Sequence, residues 1–241
     1  MRLMPNIKLT EEQFRKILLH HKLYSGGEAT ICDGSNYGTL YKLFSENGNP
    51  KPMGDNKEKK VIELYQQQLD YSTTPVSTIS VGDIMVGYEM ITDEDMKAYK
   101  WYQLSYEQLI FLLKKSRDIL KYFISKGIIY CDVDLRNILF NPSTGEIMFC
   151  DMDNTQIDDL KVDLMPFSLI EYDKVRGVDE QASIYAHNLM SLHCFDIDHL
   201  CSRDREISYL FKRPAKRIVK SMRKPQSFNG EYIIDYIKKC K

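Results

Sequence analysis

The residues best suited to chemistry lie between positions 128 and 154. Asp132 and Asn137 stand five apart with Asp134 between them, and Asp151 and Asp153 follow beyond a short turn. Apolar runs flank both groups: Ile128-Ile129 before the first, Ile138-Leu139-Phe140 after it, and Ile147-Met148-Phe149 before the second. A carboxylate at the end of a buried strand is costly unless a cation pairs with it or a metal binds it. An Asp and an Asn brought near a second Asp offer hard oxygen ligands. That set suits Mg2+, which takes few protein ligands and shares its shell with phosphates. Any one of these residues alone reads as an ordinary turn residue. The ordered set D-x-x-x-x-N, hairpin, D-x-D reads as a site.

Such a site needs rigid elements around it. Thr10 and Gln13 form a capping box ahead of Phe14, Ile17 and Leu18, which predicts a helix over about 11–21. Residues 22–44 carry short apolar and β-branched runs broken by Gly, Asn and Asp, the pattern of two or three antiparallel strands. After a polar loop, KEKKVIELYQQQL has apolar residues at 61, 62, 65 and 69, a helical spacing. TPVSTISV and IMVGYEMI predict a strand pair turned at Gly82-Asp83. A second capping box, Ser105 with Gln108, opens a helix whose Leu109, Leu112, Leu113, Ile119, Leu120 and Phe123 share a face, and Gly127 stands where a C-cap glycine belongs. The segments IIYCDVDLRNILF and IMFCDMDN, joined by NPSTGE, predict a hairpin of buried strands with carboxylates at its loops. A last amphipathic stretch covers about 179–193. A mostly β part (1–92) therefore precedes a mostly helical part (93–241), with a polar boundary near 92–100, and a cleft between them is the natural ligand site.

The chain has 241 residues, 43% hydrophobic and 28% charged, which sets it among globular rather than disordered proteins. A net charge of −1 argues against a dedicated nucleic-acid binder. No run approaches the ~20 apolar residues of a membrane span, and the N-terminal stretch lacks the apolar core of a signal peptide, so the expected compartment is the cytoplasm. The six cysteines fit reduced thiols there. His193, Cys194, His199 and Cys201 cluster loosely, at a spacing that matches no common zinc pattern.

The motif set resembles the protein-kinase superfamily. YCDVDLRN resembles the HRDxxxxN catalytic loop, and DMD resembles DFG, closer to the DFD or DFE of kinases that act on small molecules. The resemblance runs from about Leu23 to about Leu192. It implies an α+β bilobal fold with a small antiparallel β N-lobe, one αC helix and a mostly helical C-lobe. It implies ATP and Mg2+, with Asn137 and Asp151 on the metal and Asp132 as the residue that accepts the acceptor's proton. Lys42 in TLYKLF would be the third-strand lysine that holds the ATP phosphates, and Glu58 its αC partner, with Glu63 the second choice. YSGGEATIC resembles the Gly-rich loop, with Gly26 at its middle glycine, Gly27 beside it, and Tyr24 and Ala29 in place of the outer two. GYEMIT resembles the strand that leads into the hinge: Met90 would be the gatekeeper, and the backbone from Ile91 to Asp93 would meet adenine, with Ile31 also against the nucleotide. Asp179 or Glu180 would open an αF-like helix and support the catalytic loop.

Departures from the family pattern shape the expected activity. Tyr130 and Cys131 replace the His and Arg of HRD, so no obvious receiver exists for an activation-loop phosphate. Asp134 stands where a Lys beside the γ-phosphate is usual, and Arg136 would supply the missing positive charge. The resemblance implies transfer of the γ-phosphoryl group of ATP to a Ser/Thr or Tyr hydroxyl of a protein. A small-molecule kinase of the aminoglycoside or choline type and a nucleotide-binding pseudokinase scaffold are the alternatives. The tail holds seven basic residues and no acid from Lys212 to Lys224, a solvated helix face or a dock for an acidic partner.

Overall fold

The computed structural model describes residues 3–34, 38–93, 95–100, 103–162 and 178–194. The architecture is α+β, with a mixed seven-stranded sheet, two smaller sheets and four α-helices among the described residues. The basic segment Lys212–Lys224 and the pair His199 and Cys201 lie outside them.

The chain opens with strand β1 (Asn6–Leu9) and helix α1 (Glu11–His20). The predicted capping box closes α1: the Thr10 hydroxyl accepts from the Gln13 amide at 3.1 Å, and the Gln13 side chain accepts from the Thr10 amide at 2.8 Å. Strands β2 (Lys22–Ser25), β3 (Ala29–Asp33) and β4 (Thr39–Glu46) follow as an antiparallel meander, and β5 (Asn49–Pro50) folds back on β4. Helix α2 (Asp55–Gln67) leads to the hairpin of β6 (Pro75–Val81) and β7 (Ile84–Ile91). The strand order is β1-β6-β7-β4-β3-β2, with β1 parallel to β6 and the other pairings antiparallel. Strand β1 has no counterpart in the sequence reading, because NIKL is a single short alternation with no turn signal ahead of it.

Alternation on β4 sorts its side chains to two faces. Tyr41 and Leu43 join Phe14, Cys32, Ile79 and Val86 under α1, whereas Phe44 joins Met53, Val61, Tyr88 and Met90 under α2. The β6–β7 register shifts between Ile79 and Ser80, so β7 carries one extra residue there. That bulge lets Met85 and Tyr88, three apart, serve the α2 face while Val86 turns to the other. The α2 face of the sheet thus presents Ile31, Lys42 and Tyr88 in one row across three strands, with Leu40 opposite Met90 in the next.

The second half is built on α3 (Tyr106–Ser125), capped by Ser105 and Gln108 as predicted and ended by Gly127 at φ 76°. The six apolar residues predicted to share its face are all buried in one core with Tyr130, Ile138, Phe140, Phe149 and Met152. Strands β8 (Lys97–Ala98), β10 (Ile138–Asn141) and β11 (Glu146–Phe149) form one small sheet, and β9 (Ile128–Tyr130) pairs with β12 (Thr155–Ile157). Helix α4 (Glu180–Cys194) packs through Ala182, Ala186 and Met190 into the same core. Among the described residues no helix is long and apolar enough to cross a membrane.

Candidate active site

The predicted hairpin β10–β11 brings the two acidic groups together. Asp132 and Asn137 flank the loop between β9 and β10, whose residues 135–137 form a single 3₁₀ turn. The Asp134 carboxylate caps that turn by accepting from the Arg136 amide at 2.8 Å. Asn137 reaches back across the loop, its Nδ2 donating to the Asp132 carbonyl at 3.0 Å and to the Asp132 carboxylate at 2.9 Å. Burial, and next the charge of Asp151, raise the Asp132 carboxyl above its ordinary range, against the Asn137 hydrogen bond that lowers it. A carboxylate biased in that direction and fixed by an amide is equipped to accept a proton.

Asp151 is set from several sides. Phe149 exchanges backbone bonds with Tyr71 and Thr73 at 2.7 and 2.8 Å, the Cys150 amide donates to Asn137 O at 3.0 Å, and the Tyr130 hydroxyl donates to Cys150 O at 2.7 Å. Asp151 itself takes left-handed backbone geometry (φ 61°, ψ 38°), a conformation that costs a non-glycine residue about 1–2 kcal/mol. Its carboxylate accepts from Asn154 Nδ2 at 2.6 Å and from the Lys42 ammonium.

Lys42, expected to pair with Glu58, does not. Its ion-pair partners are Asp151 and Asp153, the latter at 2.5 Å. Glu58 is half-exposed in the first turn of α2, where its charge suits the helix N-terminus. The helix turns Lys57, Lys60, Val61, Leu64 and Tyr65 inward instead, and Ile62 stays 40% exposed. The apolar spacing misled because Leu69 lies beyond the left-handed cap at Gln68 and is no part of the helical face. Burial pulls the Lys42 ammonium down, but the charges of Asp153 and Asp151 hold it well above the ordinary lysine range. Lys57 pairs with Glu28, from the turn between β2 and β3, and lies 3.6 Å from Asp153.

Gly26 and Gly27 occupy the β2–β3 turn, where the Gly26 amide donates to Ala29 O at 2.9 Å. A Cβ on Gly27 would meet nothing within 4 Å. Ile31 is half-buried opposite Lys42, Met90 is buried, and Ile91 is exposed. Asp93 turns the chain after β7, its carboxylate accepting from the Asp95 amide at 3.0 Å and its carbonyl from the Met96 amide at 3.0 Å. Arg136 is corrected in its surroundings: its side chain is 80% exposed and its guanidinium is bound by both oxygens of Asp134, at 2.9 and 3.2 Å. Asp179 caps the start of α4 through the Gln181 amide at 3.0 Å, and Ser183 of that helix donates its hydroxyl to Tyr130 O, at the end of β9, at 2.5 Å. A serine amid alanines carries no sequence signal for such a role.

The donor set fits a hard divalent cation. The Cys150–Asn137 backbone bond sets the chain at Asn137 beside the chain leading into Asp151, and the charge of Asp151 reaches the Asp132 carboxyl. Mg2+ binds through one or two carboxylates completed by phosphate oxygens, so Asn137 and Asp151 meet its demand without a cage of acids. Burial pushes the thiols of Cys131 and Cys150 up to about 12, so both are protonated and inert as nucleophiles at neutral pH. No protein-family model matches the chain, and no curated protein matches it.

Proposed function

We propose that the protein is an ATP-dependent phosphotransferase of the protein-kinase type. It moves the γ-phosphoryl group of ATP to a Ser/Thr or Tyr hydroxyl of a protein. The observation that carries the reading is the convergence of Lys42, Asp132, Asn137 and Asp151, drawn from three separate segments, on one centre. The order of elements supports it as well. Counted from β2 and leaving aside the two-residue β5, the lysine stands on the third strand, α2 separates the third strand from the fourth, and the fifth, β7, leads through β8 to α3.

In this reading the β2–β3 turn with Gly26 and Gly27 covers the phosphates, and the open space beside Gly27 admits them. Leu40, Ile31 and Met90 offer an apolar surface for the base, with the exposed residue Ile91 following Met90 on the strand. Asn137 and Asp151 would hold Mg2+, which neutralises charge on the phosphates when bound. Asp132 takes the proton of the acceptor hydroxyl while the acceptor oxygen bonds to Pγ. The bond from Pγ to the β–γ bridging oxygen breaks, and ADP carries that electron pair away. Lys42 holds the phosphate tail, and most of the rate gain comes from positioning and electrostatics.

The test is incubation with γ-labelled ATP and Mg2+, with and without a generic protein acceptor, beside Asp132→Ala and Asp151→Asn. Label on protein with the wild type, reduced ~10²–10⁴-fold in Asp132→Ala, is the expected result. ATP turnover that labels only an added aminoglycoside or choline would move the acceptor to a small molecule. Nucleotide binding without turnover would leave a scaffold.

A further inference from the structure

The D-x-D spacing supplies two carboxylates with different surroundings. Asp151 is partly open, whereas Asp153 is fully buried on the 3₁₀ turn that follows it. One Asp153 oxygen accepts from Lys42 at 2.5 Å and from the Tyr88 hydroxyl at 2.8 Å, and the other faces Lys57 at 3.6 Å. The rings of Phe44 and Tyr88 wall this pocket, with the Lys42 ammonium 5.6 and 5.9 Å from their centroids and the Lys57 ammonium 5.2 Å from Phe44. Two ammonium groups already compensate the Asp153 charge, so a further cation there is disfavoured.

We infer that Asp153 is the positioning residue for Lys42, doing from the acidic turn what the sequence pattern led us to expect of Glu58 on α2. What Lys42 then does rests on the phosphoryl-transfer reading. The anchor fixes the lysine from the buried side, while its contact with the partly open Asp151 faces the phosphates and the metal. It also accounts for the inverted charge of α2: with the acid supplied by the turn, the inward helix position 57 carries the opposite sign, and Lys57 joins Asp153 to Glu28 of the glycine turn. The helix and the phosphate-covering turn are thereby tied to the same carboxylate.

The experiment uses the full-length protein and a double-mutant cycle read by urea denaturation. Lys42→Met and Asp153→Asn should be coupled at least tenfold in the unfolding equilibrium constant, whereas Lys42→Met and Glu58→Gln should combine additively within twofold. In the phosphotransfer assay Asp153→Asn should raise KM for MgATP at least tenfold with kcat changed less, Asp153→Glu should restore it, and Glu58→Gln should stay within twofold of wild type. Additivity of Lys42→Met with Asp153→Asn, or coupling of Lys42→Met to Glu58→Gln, overturns the assignment. If the wild type transfers no phosphoryl group, the functional reading fails and the cycle still decides the anchor. If Asp153→Asn does not fold, the double variant Lys42→Met/Asp153→Asn decides: melting above the single variant supports the pair, and melting no higher overturns it.

Discussion

At the scale of single residues, the acids of the site divide by what surrounds them. Asp132 is raised by burial and by the charge of Asp151, and its ionised form is the one that accepts a proton. Activity is therefore lost as pH falls through that raised value. The acid limb of kcat/KM should stand above the ordinary aspartate value of about 3.9. A pH–rate profile checks this, and a limb at or below the ordinary value would remove Asp132 from the base role. Asp153 is shifted the other way. Burial raises it, but Lys42 and Lys57 outweigh that and hold it at about 2. Its folded value lies below its unfolded one, so its stabilisation is present above about 4 and fades as pH falls toward 2. At neutral pH Lys42→Met leaves Asp153 buried without its nearest cation and should cost ~3–5 kcal/mol. Glu58→Gln, at a half-exposed position, should stay within ~0.5 kcal/mol. Urea denaturation of the two variants separates these outcomes.

At the scale of elements, the strand that carries Lys42 depends on a close approach. A Cβ on Gly87 of β7 would fall 2.2 Å from the Lys42 carbonyl oxygen and 3.1 Å from Leu43 Cδ2. Only glycine lets β7 lie this close to β4. Gly87→Ala should separate the strands at the Lys42 register and destabilise by ~1–3 kcal/mol. Melting curves would show it, together with a raised KM for MgATP. Loss of stability without any change in KM would mean that β4 absorbs the shift elsewhere. What was readable beforehand follows the same logic. Capping boxes, the Gly127 C-cap, the apolar stripe of α3 and the strand pairs are local patterns, and each appears where its spacing put it. The face of α2 was not readable. Its buried side includes Lys57 and Lys60, and Lys57 is paired there with Glu28 and Asp153, both distant in sequence. Asp153 looked like the second letter of a turn motif, and only the crossing of β4, β7 and α2 reveals Lys42, Tyr88 and Lys57 around it. Ser183 was hidden for the same reason, since its partner lies on β9.

At the scale of the whole molecule, α3 and α4 are joined by a buried polar contact that makes global stability depend on pH. Ser116 on α3 and His187 on α4 are both fully buried, with Oγ and Nε2 3.0 Å apart. The Ser116 hydroxyl also donates to Leu113 O at 3.1 Å, and His187 is itself hydrogen-bonded to the Leu113 backbone. Burial and then the charge of Arg117 pull the His187 value down to about 3. The unfolded chain binds this proton near the ordinary value of about 6.5, whereas the native protein excludes it until about 3. More protons are bound by the unfolded state throughout that window, so stability falls as pH falls across it, by up to ~1.4 kcal/mol per pH unit from this group. His187→Gln keeps a hydrogen-bonding group for Ser116 and removes the titration. At pH 7.5 the variant should be no more stable than the wild type, and by pH 5 the difference should narrow or reverse by up to ~2 kcal/mol, the product of that slope and the distance below 6.5. Thermal melts of both proteins at pH 7.5, 6 and 5 measure the convergence. Parallel curves would mean that the folded protein admits the proton at its ordinary pKa. The α3–α4 seam would then have to open near Ser116.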